Sequence, residues 1–152
     1  MNIDQSYAMI QSKPLDIKYV AGLTLMALAN NDLVVFCDCG DAGHLKIFFS
    51  NVVSYQVHEE FHYPEMLDSS ESPKPTINST KYYYPFLMVI NSKWKSTFAD
   101  YMLYGNHEEF THYQILSLSN ILDVISAELP IFSEITEDEL LSVEDLIIKK
   151  LQ

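Results

Sequence analysis

His58-Glu59-Glu60-Phe61-His62 matches the H-E-x-x-H pattern, in which two imidazoles hold a zinc ion and the glutamate activates a bound water for hydrolysis. That chemistry needs a helix, because only a period near 3.6 sets residues i and i+4 on one face with the carboxylate beside the metal. The flanking residues specify an extended chain instead. Val52, Val53, Tyr55 and Val57 precede the motif in a β-branched and aromatic run, and Pro64 follows His62 within two residues, leaving a helix no room to continue. On a strand, His58, Glu60 and His62 share one face and Glu59 and Phe61 the other. The pattern therefore predicts no bound metal, and a metal-dependent hydrolase built on His58, Glu59 and His62 is the alternative reading.

Other reactive groups are sparse. Cys37-Asp38-Cys39 with His44 supplies soft donors, but a structural zinc takes four ligands and usually shows C-x-x-C spacing, so buried thiols are the plainer expectation. There is no G-x-S-x-G elbow and no Walker or G-x-G-x-x-G loop, and the four glycines Gly22, Gly40, Gly43 and Gly105 are too scattered to cradle a phosphate. No catalytic residue and no cofactor are expected. The segment from Tyr55 to Tyr63 is echoed with one insertion from Tyr104 to Tyr113. It extends outward on neither side, so it reads as coincidence in composition rather than a repeat. If the two segments are neighbours in space, Glu59, Glu60, Glu108 and Glu109 form an acidic patch able to guide a cationic partner; on their own they are a solvated surface.

The elements that position these residues are mostly strands. Tyr19–Leu28 ends at Asn30-Asn31-Asp32, Leu33–Asp38 returns, and His44–Phe49 and Val52–Glu59 continue on either side of Ser50-Asn51, a pattern that predicts a four-strand meander. Three prolines and a serine-rich acidic run between Pro64 and Thr80 predict a long exposed loop. Lys81–Ile90 and Phe98–Tyr104 read as further strands, and His112–Leu118 with Ile121–Ile125 flank Ser119-Asn120 like a hairpin. At the C-terminus, Thr136 and Glu139 form a capping box, Ile135 and Leu140 sit at the staple positions, and Leu140, Val143, Leu146, Ile147 and Leu151 make the stripe of a helix that ends at Lys149-Lys150.

The charge balance narrows the partners. Twenty-one acids face nine lysines with no arginine, a formal net charge of −12. Arginine is the planar fork that grips phosphate, and nucleic-acid binders need clustered positive charge. Direct contact with nucleic acid or an anionic membrane is not expected, whereas basic proteins are attracted. Cys37 and Cys39 stand too close in sequence for an ordinary disulfide, which favours a reducing, cytoplasmic setting. The apolar run Tyr19–Ala29 behind Lys13 and Lys18 has the look of a secretory h-region, but Asp4 and Asp16 precede it and it is far short of the roughly 20 residues that span a bilayer. A buried strand accounts for it.

Leu45–Phe61 and His112–Pro130 resemble the strand pairs of small β-rich bacterial proteins, several of them similar to the immunity proteins of contact-dependent inhibition and other polymorphic toxin systems. The resemblance implies an acidic, cytosolic, non-enzymatic protein that blocks a basic toxin domain, and it transfers no binding residue. Together these readings predict a single α+β domain over residues 1–152. Its sheet is mainly antiparallel, of six to eight strands, curled or a partly open barrel, with the C-terminal helix packed on it. The expected function is neutralisation, by direct binding, of a cationic toxin domain of the nuclease class, with Glu59, Glu60, Glu108 and Glu109 as the contact surface. An acidic subunit that binds through the aromatic strand Tyr82-Tyr83-Tyr84 is a further alternative, because aromatic residues enrich interface cores.

Overall fold

The computed structural model describes residues 4–10, 17, 19–59, 75, 83–136 and 138–139. Among the described residues nine strands run in chain order: β1 (Ser6–Met9), β2 (Gly22–Ala27), β3 (Leu33–Asp38), β4 (His44–Phe49), β5 (Val52–Glu59), β6 (Phe86–Ile90), β7 (Thr111–Leu116), β8 (Asn120–Ser126) and β9 (Ile131–Ile135). They form two antiparallel sheets, one of five strands in the order β1-β6-β7-β8-β5 and one of four in the order β2-β3-β4-β9. Among the described residues there is no closed barrel. The described elements are thus predominantly β, and the body of the expected C-terminal helix lies outside the described residues. Its first turn is partly visible: Thr136 Oγ1 accepts a hydrogen bond from the Glu139 backbone N–H at 3.2 Å, the bond expected of a capping threonine.

Alternation builds the core. Leu33, Val35 and Cys37 on β3 pair with Phe49, Ile47 and Leu45 on β4, all buried on one face. They meet Tyr113 and Ile115 of β7 and Leu122 and Val124 of β8 from the other sheet in one cluster. Aromatic pairs link the sheets, Phe49 with Tyr113 at 5.8 Å between ring centroids and Phe86 with Phe132 at 5.3 Å. Rings so placed add about 0.5–1.5 kcal/mol each beyond the area they bury.

The boundaries of β3, β4 and β5 fall where the sequence pattern sets them, but the expected meander is broken. β2, β3 and β4 are sequential neighbours, whereas β5 crosses to the five-stranded sheet and pairs with β8. Asn51 takes a left-handed backbone (φ 53°) at the crossing, and a bulge between Val52 and Ser54 reorients the strand. The hairpin of β7 and β8 forms as expected. Strands β1 and β9 were not expected, and both close sheet edges through partners distant in sequence.

The larger departure is the segment after β6. In place of a strand over Phe98–Tyr104 there is a one-turn helix α1 (Lys93–Ser96), then 3₁₀ turns at Asp100–Leu103 and His107–Glu109. Tyr104 and Gly105 both adopt positive φ, 53° and 77°, which a strand cannot contain. Trp94, Phe98, Leu103 and Phe110 pack with Val53, Ile125 and Ala127 as a second apolar cluster on the outer face of the five-stranded sheet. That cover explains why Ile125 of β8 is as buried as the inward Leu122 and Val124. The proline-rich 64–80 stretch falls outside the described residues except for Pro75, whose carbonyl accepts from the Tyr84 N–H at 2.7 Å.

Candidate functional site

The covered outer face of the five-stranded sheet holds a polar cluster. Register places Gln114 of β7 directly opposite Asp123 of β8, with His112 one step along the same face and His58 diagonally across on β5. Asp123 Oδ1 accepts from His112 Nε2 at 2.6 Å and from Gln114 Nε2 at 3.0 Å, while Oδ2 lies 2.8 Å from His58 Nε2. Asp123 is 0% and His112 1% exposed. Burial opposes ionisation, but the hydrogen bonds from His112 and His58, the charge on His112 and the Gln114 amide outweigh it and hold the Asp123 carboxyl far below the usual carboxylate range.

The chain of bonds continues outward. Ser92 Oγ lies 2.6 Å from His112 Nδ1 and accepts the Lys95 N–H at 2.9 Å, so the hydroxyl serves as the N-cap of α1. Trp94 packs edge-on against the His112 ring at 5.2 Å. Lys95 Nζ then donates to the carbonyls of His107 (3.0 Å) and Phe110 (2.8 Å), tying the second 3₁₀ turn to α1. Hydroxyl, imidazole and carboxylate stand in the order used by serine hydrolases. Here the serine is 6% exposed and its hydroxyl is engaged by His112 and by the Lys95 N–H. The arrangement instead anchors residues 93–110.

What it anchors is an exposed aromatic platform. Tyr101 is 77% and Tyr104 81% exposed, Met102 is also exposed, and Tyr104 stacks on the buried Phe110 at 6.1 Å. Asp100, Glu108 and Glu109 flank them in solvent, and His107 Nε2 sits 3.2 Å from Asp100 Oδ1 across the loop. A tyrosine held in the left-handed region costs of the order of 1–2 kcal/mol, and such backbone cost is concentrated where a side chain must be presented in one direction.

The sequence-derived residues are distributed differently from the expectation. Glu108 and Glu109 are exposed on the platform, and Glu59 is exposed at the far end of β5. Val52, which pairs with Ser126, borders the same cleft as Glu109, whereas Glu59 pairs with Asn120. Seven residues of extended chain, about 23 Å, separate those two ends of β5, well beyond the roughly 8–10 Å screening length. Glu59 and Glu109 thus do not act as one patch; Glu60 lies outside the described residues. His58 points into the buried cluster with Glu59 on the opposite face, so these two do not take the H-E-x-x-H helical arrangement, and His62 lies outside the described residues. Tyr83 is partly exposed, Tyr84 is core at 7% exposure and packs on Phe86, and Tyr82 lies outside the described residues.

Cys37 and Cys39 are free and buried. Burial and the neighbouring Asp38 push the Cys39 thiol up to about 11, and burial raises Cys37 further. Cys37 faces the core while His44 pairs with Asp38 one register step away, on the other face. Among the described residues no group of three or more His, Cys, Asp or Glu side chains is placed to hold a metal. No described helix is long and apolar enough to cross a membrane.

The buried cluster was not read from the sequence, although two signals pointed to it. Asp123 interrupts the apolar run Ile121–Ile125, and His112-Tyr113-Gln114 places two polar groups on one face of a strand. Comparison with protein families, with curated proteins and with solved structures returns no match.

Proposed function

We propose that this protein binds and neutralises a basic protein, in its specific form a toxin domain, through the platform formed by residues 100–109. The observation that carries the reading is the pairing of two highly exposed tyrosines, Tyr101 and Tyr104, with Asp100, Glu108 and Glu109 on a segment braced from the core. Tyrosines with few rotatable bonds are efficient interface anchors, and surrounding carboxylates favour a cationic partner and discourage an anionic one. A net charge of −12 without a single arginine acts in the same direction at long range. The resemblance of Leu45–Phe61 and His112–Pro130 to immunity proteins supplies the partner class.

The test is capture of a basic toxin domain encoded beside this protein's gene, followed by titration calorimetry. Tyr101→Ala should weaken binding by at least tenfold with an unchanged melting temperature, and Glu108→Gln with Glu109→Gln should slow association more than it speeds release. Binding that is insensitive to both changes and flat with salt would sink the platform as the interface.

A further inference from the structure

Beside the platform, two clefts of about 330 and 360 Å³ meet over the start of β5, sharing Asn31, Val52 and Val53 as their common floor. Each contains one carboxylate and one exposed tyrosine: Asp32 with Tyr55 in the first, Glu109 with Tyr104 in the second. Between them Val52 and Val53 supply apolar side chains beside the polar Asn31, Val52 packed on the main core and Val53 on the second cluster. It is also tied down. The Val52 N–H donates to the Asn31 carbonyl at 2.8 Å, and Asn31 and Asn51 hold left-handed turns (φ 66° and 53°) on either side.

From this geometry we infer that the double cleft is a docking groove for a short basic segment of the partner protein. One Lys or Arg side chain lies in each cleft, and an apolar residue between them rests on Val52 and Val53. Charge complementarity selects this occupant: each cleft offers an anion and an aromatic face, the two features that hold a cationic side chain by Coulomb attraction and cation–π contact. A preformed floor loses little entropy on binding, so the ordering cost falls on the incoming segment. The inference deepens the binding reading above and rests on it, since the groove shares Tyr104 and Glu109 with the platform but extends to Asp32 and Tyr55, which the platform does not use.

The probe is an N-acetylated, C-amidated Arg-Val-Arg peptide titrated into ¹⁵N-labelled full-length protein, with Glu-Val-Glu as control. Saturable amide shifts at Asn31, Val52 and Val53 are expected with the basic peptide alone. They should weaken at least fivefold in Glu109→Gln and in Tyr55→Ala, and further in Asp32→Asn combined with Glu109→Gln. Shifts scattered over other acidic surfaces, or unchanged in Glu109→Gln and Tyr55→Ala, would overturn the groove. Concentration-dependent shifts of the same amides without peptide would place a second copy of this chain there and also overturn it. Failure of the broader reading has a different signature. A captured basic partner that needs Tyr101 but tolerates Asp32→Asn and Tyr55→Ala removes only the groove, whereas intact peptide shifts with no basic partner captured remove only the neutralising function.

Discussion

Asp123 Oδ1 and His112 Nε2 lie 2.6 Å apart on adjacent strands, both side chains withdrawn from solvent, and the other nitrogen of the same imidazole faces the serine that caps α1. A carboxylate in the interior is thereby connected through two side chains, His112 and Ser92, to the backbone of α1. Each member satisfies its neighbour: His112 Nε2–H donates to Asp123, and Nδ1 shares a hydrogen bond with the Ser92 hydroxyl. Deleting one member leaves the others buried without partners, which is the costly way to disturb such a cluster.

Asp123→Ala should therefore destabilise the fold by about 3–5 kcal/mol, the range for removing one side of a buried charged pair. Ser92→Ala removes a cap and leaves the buried His112 Nδ1 without its partner, so it should cost about 2 kcal/mol, less than Asp123→Ala, which strips three donors of their acceptor. Urea denaturation midpoints separate the two. A loss below about 1 kcal/mol for Asp123→Ala would show that the carboxylate is not held by its three donors.

The depressed Asp123 carboxyl sets the sign of an acid effect. Its ordinary value is 3.8 and the folded state lowers it, so below about pH 4 the unfolded chain binds a proton that the native chain refuses. The stabilisation is present in full above that pH and is lost as the pH falls through 3.8 toward the folded value. Wild-type stability, measured by urea melts between pH 2.5 and 7, should fall more steeply below pH 4 than that of Asp123→Asn. Parallel curves would contradict the assignment.

At Tyr104 the backbone and the side chain make separable demands. Tyr104→Gly relieves the left-handed strain and Tyr104→Ala does not, yet both lose the ring stacked on Phe110. The glycine variant should be more stable than the alanine variant by about 1 kcal/mol, while both bind the basic partner equally poorly. Thermal melts and calorimetry on the pair decide it. Equal stability would place the cost of this turn elsewhere.

The two thiols give a quick check of the core. Cys37 and Cys39 are buried and resist ionisation, so a colourimetric disulfide reagent at pH 8 should react with neither in the native protein and with both in guanidinium. Rapid native labelling of either would mean that the turn at Gly40–Ala42 opens readily.

Local pattern alone determined where β3, β4 and β5 begin and end. Leu33–Asp38, His44–Phe49 and Val52–Glu59 are bounded by Asn31, Gly40, Gly43 and Asn51, residues that take the positive φ these turns require, and Thr136 announces its cap through its own side chain. Those signals act over a few residues, so they are legible without a partner. Tertiary structure decided which strand pairs with which: β5 leaves its neighbour β4 for β8, and β1 finds β6 some eighty positions away, because an alternating strand fits any sheet with an apolar face and only the global packing selects one. The same holds for the segment 98–104, where apolar spacing that suits a strand instead folds into 3₁₀ turns, since Trp94, Phe98, Leu103 and Phe110 bury more by covering the outer sheet face than by extending it. The composition carried the acidic character and the absence of arginine. The meeting of His58, His112 and Asp123 belonged wholly to the register of β5, β7 and β8, since three residues spread over sixty-five positions share a site only after the strands that carry them are aligned.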